Sequence, residues 1–152
     1  MTVNEIKEHL LKACHDWLYL RFDHIEAVLK EIKNALEEET KSSAGDKHET
    51  GRAMLQIERE NAGRQLAEAE KVRDTLDKVD VSHASDHAHL GSLVFTSHGD
   101  YYLSISTGAI EVDGKQYFAI APKSPVGALL LGKEEGDVFT FHDEEYKIIS
   151  VE

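Results

Sequence analysis

No proline interrupts residues 3–79, and the only glycines in that stretch are Gly45, Gly51 and Gly63. A chain so free of breakers, and so rich in Glu, Lys, Ala and Leu, is built for helix. Apolar residues recur in it at steps of three and four: Ile6, Leu10, Ala13, Trp17, Leu20 and Ala27, with His24 taking one seam position. A second phase runs through Leu18, Phe22, Ile25, Leu29, Ile32 and Leu36, and a third stripe holds Leu55, Ala62, Leu66, Ala69, Leu76 and Val79. Between them, Lys41-Ser42-Ser43-Ala44-Gly45 is small, polar and flexible, the chemistry of a turn. The spacing predicts two long helices folded back as an antiparallel coiled coil over residues 1–80, with its tip at residues 43–51. Each helix has roughly 30 to 35 residues, which at 1.5 Å per residue makes an arm roughly 45 to 50 Å long. Two helices of a larger bundle would show the same stripes, but no further long helical segment is present to complete one. A two-helix coil buries one stripe per helix and is weakly stabilised for its length. Such a shape suits delivery of its tip to a distant place.

The pattern changes beyond residue 90, where both prolines and the remaining glycines lie. Short apolar runs at residues 92–96, 101–106, 116–121, 137–141 and 145–151 read as strands. Ser97-His98-Gly99-Asp100 and Val112-Asp113-Gly114-Lys115 are turns, and Asp-Gly is a strong hairpin signal. Residues 125–131 read as one short helix, with Ser124 as N-cap, Pro125 at its first position and Gly132 ending it. The expectation is a small antiparallel sheet with one helix packed on it, an α+β domain over residues 91–152, joined to the helices by a linker at residues 81–90.

Charge narrows the function classes. The chain carries a formal net charge of -12 over 152 residues. Phosphate backbones repel such a chain, so autonomous binding to DNA or RNA is disfavoured and a protein or metal partner is expected. Cys14 is the sole cysteine, which excludes an internal disulfide framework and a cysteine-based zinc finger. Residues 1–11 are charged and helix-patterned, unlike a signal peptide, and no apolar run suits a membrane span, so the expected location is the cytoplasm.

The tip holds the residues with chemistry. Asp46 and Glu49 stand three apart, on one face if the second helix begins near Asp46. A helix-capping role explains that spacing, because acidic groups suit a helix N-terminus. Two exposed carboxylates also make half of a hard-cation site, of the kind magnesium shares with another molecule's groups. Ser82-His83-Ala84-Ser85-Asp86-His87-Ala88-His89 is either a polar linker or, through His83, His87 and His89, a zinc-binding tract. Cys14, His15 and Asp16 are neighbours on one helix and point in different directions, so they make no nucleophilic site. Cys14 is expected at or beside the buried seam.

Two motifs carry a family resemblance. Gly45-Asp46-Lys47-His48-Glu49-Thr50 matches the tip motif of the GreA/GreB family of bacterial transcript cleavage factors at Gly45, Asp46 and Glu49. Ser124-Pro125-Val126-Gly127, Leu130-Leu131-Gly132-Lys133 and Gly136-Asp137 resemble that family's C-terminal signature. Tyr146-Lys147-Ile148-Ile149 resembles its closing strand and Gly91-Ser92-Leu93-Val94 its first C-domain strand, so the likeness spans nearly the whole chain in order. Lys47 and Thr50 depart from the tip motif, where an apolar residue and asparagine are usual.

The resemblance implies an FKBP-like C-terminal domain that docks on RNA polymerase, and a coiled coil that enters the polymerase secondary channel. It implies that Asp46 and Glu49 help to hold a magnesium ion jointly with the polymerase, which cleaves backtracked RNA. Gly45 and Gly51 would shape the tip. Ser124, Pro125, Gly132, Lys133, Gly136 and Asp137 would belong to the docking domain's signature, partly as structural residues. The implied protein is a monomer and no autonomous enzyme, meeting DNA and RNA only within the polymerase complex. A non-cleaving channel regulator of the same architecture is the alternative, and Lys47, a cation beside the carboxylates, favours it.

Overall fold

The computed structural model describes residues 1–41 and 45–152, with side chains described for 1–41 and 49–152. Two long helices lead: α1 spans Val3–Lys41 and α2 spans Gly45–Asp77. Six strands and a short helix follow: β1 Leu93–Thr96, β2 Gly99–Leu103, β3 Gly108–Val112, β4 Lys115–Ile120, α3 Pro125–Leu130, β5 Val138–Phe141 and β6 Glu144–Val151. The chain packs as two units, residues 1–17 with 74–152, and residues 18–73.

In the unit of residues 18–73, the two helices run antiparallel. Ascending α1, the partners on α2 descend: Arg21 lies 3.9 Å from Glu68, Phe22 lies under the Arg73 guanidinium, and Thr40 accepts a 2.9 Å hydrogen bond from Arg52. Ile25 and Ile32 of α1 and Ala62 and Ala69 of α2 are buried. This stripe is apolar, with isoleucine on the α1 side and alanine on the α2 side.

The α1 stripe predicted through Leu20 is corrected. Leu20 is 67% exposed, and the buried positions are Leu18, Ile25 and Ile32, spaced by sevens. Both phases are apolar in sequence, and only one can face a single partner helix. Before Trp17, Lys7, Leu10 and Cys14 are the buried positions of α1, within the other unit.

The sheet has the order β3-β4-β2-β1-β6-β5. Its neighbours are antiparallel except β2 and β4, which are parallel, with Tyr102 opposite Ala119. The expected α+β layout, a mostly antiparallel sheet with one short helix, is what the chain forms, with β2 and β4 as its parallel pair. The connection from β2 to β4 passes through β3, which returns to pair antiparallel with β4, and this leaves β4 running with β2.

β3 was not anticipated by strand pattern. It is an edge strand that opens on Gly108 and Ala109, is mostly exposed, and buries only Val112 well. The turn joining it to β4 behaves as its sequence demands: Asp113 and Gly114 have φ of 53° and 76°, the two left-handed positions of a tight hairpin. One face of the sheet packs on α3, around Ala88, Val94, Leu103, Leu130, Phe139, Tyr146 and Ile148.

Helix α3 is built as predicted. Ser124 is extended, with φ -67° and ψ 160°, and its hydroxyl accepts from the Gly127 N–H at 3.1 Å. Pro125 stands in the first turn, where no backbone N–H is needed. Gly132, at φ 82°, turns the chain after the helix. Among the described residues, no helix is long and apolar enough to cross a membrane.

Candidate functional site

The tip follows from where α2 begins. Helix α2 starts at Gly45, so Asp46 and Glu49 both fall in its opening turns. Glu49 is exposed. The side chain of Asp46 lies outside the described residues, as does any side-chain geometry at Gly45, Lys47 and His48. Gly51 lies within α2 against α1: a Cβ there would sit 3.0 Å from Oε1 of Glu39. That neighbour is the end of a flexible side chain, which can move aside.

Carboxylate oxygens are the hard donors that magnesium prefers, and Glu49 carries such a group at an exposed position. Among the described residues, no cluster of three or more His, Cys, Asp or Glu could hold a metal ion.

The C-terminal signature residues have clear structural work. Ser124 accepts from Gly127 and also donates its hydroxyl to the Ala121 carbonyl at 2.6 Å. Pro125 is exposed, Lys133 half-buried, and the Lys133 carbonyl accepts from the Ala88 N–H at 2.8 Å. Gly136 turns the chain at φ 89° and donates to the Ile148 carbonyl at 2.9 Å. The Asp137 carboxylate accepts from the Glu134 N–H at 2.9 Å, closing the turn into β5. Leu131, Val138 and Ile149, near this turn, are exposed apolar residues. In this structure Ser124, Gly132, Gly136 and Asp137 hold the α3–β5 connection in shape.

The histidine tract is fastened to that connection. Ala88 is 2% exposed and belongs to the sheet core. Its N–H reaches the Lys133 carbonyl and its carbonyl accepts from the Gly132 N–H at 2.7 Å. His87 pairs as an isolated bridge with Glu134, with Nδ1 at 2.8 Å from Asp86 and Nε2 at 3.3 Å from the Glu134 carboxylate. The Asp86 hydrogen bond, and then the charges of Asp86 and Glu134, hold the His87 pKa above its ordinary value. His83 and His89 meet edge to face at 4.9 Å, and His89 Nδ1 lies 2.8 Å from the Ser92 hydroxyl. The tract is anchored through Ala88, while Ser82, His83, Ala84, Asp86 and His87 stay exposed, and nothing periodic in its sequence marks that anchor.

Two polar groups are buried on α1 before Trp17, and only Lys7 escapes sequence reading. Lys7 is 2% exposed and its ammonium donates to the Glu152 main-chain oxygen at 3.3 Å; burial lowers its pKa. Its place one turn before Leu10, in seam register, was the available sign. Cys14 is fully buried with Sγ 3.4 Å from the Ser104 hydroxyl, and burial pushes its thiol pKa up. Cys14 is buried as expected, with Ser104 of the sheet unit as its hydrogen-bond neighbour. Nearby, burial raises the Tyr102 phenol well above its usual range, and its hydroxyl has no hydrogen-bond partner among the described residues.

No model of a known protein family matches the chain, and no curated protein matches it.

Proposed function

We propose that this chain is a secondary-channel factor of bacterial RNA polymerase that stimulates the polymerase's own cleavage of backtracked RNA. The observation that carries this reading is local. The second helix of an antiparallel hairpin starts at Gly45, which puts Asp46 and Glu49 in its opening turns, with Glu49 exposed. The resemblance of Gly45-Asp46 and Glu49, and of the Ser124–Asp137 signature, to the GreA/GreB family supports it.

In this reading the hairpin enters the channel and the sheet domain docks outside. Phosphodiester hydrolysis with two metal ions needs one ion at the attacking oxygen and one at the leaving oxygen, and magnesium supplies that charge when bound. The chain's own contribution is placement. Asp46 and Glu49 present carboxylate oxygens toward the polymerase active centre, orient an attacking water through hydrogen bonds, and hold negative charge where a cation is needed. Helical geometry fixes their spacing along the chain. A displacement of about 1 Å at such a site lowers rate on the order of a hundredfold.

The test is cleavage in a stalled, backtracked elongation complex. Asp46→Asn and Glu49→Gln should each lower stimulated cleavage by at least about a hundredfold while polymerase binding persists. Undiminished cleavage would refute the assigned roles. Binding by the parent protein with no cleavage at all would identify a channel regulator that acts by occlusion.

A further inference from the structure

A groove of about 650 Å³ opens between α1 and α2 within the unit of residues 18–73. Its α1 wall carries Leu29, Lys33, Leu36, Glu37, Thr40 and Lys41, and its α2 wall carries Arg52, Gln56 and Arg59. The spacing explains the convergence: residues 29, 33, 36 and 40 share one α1 face, and residues 52, 56 and 59 share one α2 face. Leu29 and Leu36, both half-buried, form an apolar strip, and four cations surround it against one carboxylate. That balance runs against a chain whose formal net charge is -12.

The cations are also unusual in their partners. Arg52 donates to the Thr40 hydroxyl at 2.9 Å, which holds it across the groove and uses one of its five N–H donors. Among the described residues, no carboxylate makes an ion pair with Lys33, Lys41, Arg52 or Arg59. Lys41 stands four residues after Glu37, the favourable order for a helical ion pair, and still makes none. Four such cations at one groove repel each other, and that repulsion is relieved by an anion.

We propose that this groove binds a nucleoside polyphosphate, with the base on Leu29 and Leu36 and the phosphates between Arg52, Arg59, Lys33 and Lys41. The volume falls within the usual range for small-ligand sites, about 300 to 1,000 Å³. Guanidinium groups match phosphate oxygens in paired geometry, and the apolar strip supplies a surface for a flat ring. A free nucleotide is favoured over a nucleic-acid strand. The lined stretch of α1, from Leu29 to Lys41, rises only about 18 Å, and beyond it the acidic surface repels further phosphates. The inference is independent of polymerase binding.

The test is isothermal titration of the full chain with ATP and GTP at low and at physiological ionic strength. Inorganic tripolyphosphate, adenosine and a short oligoribonucleotide serve as comparison ligands. One site is expected, with affinity falling as salt rises, tripolyphosphate at least about tenfold weaker than ATP and adenosine weaker still. The double variant R52Q/R59Q should lose at least about tenfold in affinity, while K12A, an exposed cation paired with Asp16 elsewhere on α1, should change nothing. If R52Q/R59Q loses helicity, K33Q and K41Q read the same site. Absence of ATP binding, binding indifferent to all four cations, tripolyphosphate as tight as ATP, or preference for the oligoribonucleotide would each overturn the proposal.

Discussion

Replacing Gly127 by alanine tests the local construction of α3. An ideal Cβ at Gly127 would lie 2.0 Å from the Ala121 carbonyl oxygen, 2.7 Å from the Ser124 hydroxyl and 2.9 Å from the Ala121 carbonyl carbon. Two of these atoms are backbone, so the 121–124 turn must move as a whole. That motion strains the bond from the Ser124 hydroxyl to the Ala121 carbonyl at 2.6 Å and the capping bond from Gly127 to Ser124 at 3.1 Å. Loss of the cap costs about 1 kcal/mol. Loss of the second hydrogen bond costs about 1 kcal/mol. Overpacking adds about 1 to 3 kcal/mol. Alanine returns about 1 kcal/mol through helix propensity. The net expectation is a loss of about 2 to 4 kcal/mol, which for a chain of this size lowers the melting temperature by roughly 5 to 15 °C. Near-ultraviolet circular dichroism reads the sheet unit, because Tyr101, Tyr102, Tyr117 and Tyr146 all lie in it. Gly63→Ala is the matched control: Gly63 is exposed in α2 and a Cβ there meets nothing within 4 Å, so α2 should gain up to about 1 kcal/mol. A Gly127→Ala protein that melts with the parent, its α3 intact, would refute the steric argument.

Other expectations follow from the buried and titrating groups. Cys14 should resist a thiol reagent at neutral pH until the native state opens, since it is fully buried and burial pushes its thiol pKa up; stoichiometric labelling within mixing time would contradict its packing against Ser104. His87, with its pKa raised chiefly by Asp86, should titrate above 6.5 by NMR and fall back on Asp86→Asn. The sign follows from the raised value: the clip between His87 and the Asp86 and Glu134 carboxylates is fully present below the ordinary 6.5 and is lost as pH rises through the folded-state value. Protection of the Ala88 and Gly132 amides should decline over that window, and a His87 that titrates below 6.5 would rule the clip out. Loss of stimulated cleavage in Asp46→Asn and Glu49→Gln remains the decisive measurement on function.

What the sequence made legible was periodic or local. The absence of breakers over residues 3–79, with a small polar turn, was enough for two helices, and Ser124-Pro125 was enough for the start of α3, because both depend on neighbours in the chain. The Asp113-Gly114 turn likewise needs only its own two residues. What stayed hidden was decided by distant partners. Leu18 and Leu20 are both apolar, and which of them is buried depends on the facing helix. The parallel pairing of β2 with β4 depends on how β3 returns, and β3 itself has too little buried surface to leave an alternating pattern. Ala88 reads as part of a polar linker, yet the α3–β5 connection and the sheet core enclose it.

The candidate sites divide along the same line. Asp46 and Glu49 are readable because a spacing of three on one helix puts two positions on the same face. The groove cations are not, since Lys33 and Lys41 lie on one helix and Arg52 and Arg59 on the other, and no short motif links them. In a chain with 29 acidic and 17 basic residues, composition alone points away from anion binding. Antiparallel folding reverses that locally. It sets the α1 face at residues 29–41 against the α2 face at residues 52–59, and so gathers four of the basic residues around one apolar strip with a single carboxylate. Net charge governs long-range approach, falling off over about 10 Å in ordinary salt. Inside a groove, the nearest few groups decide what binds.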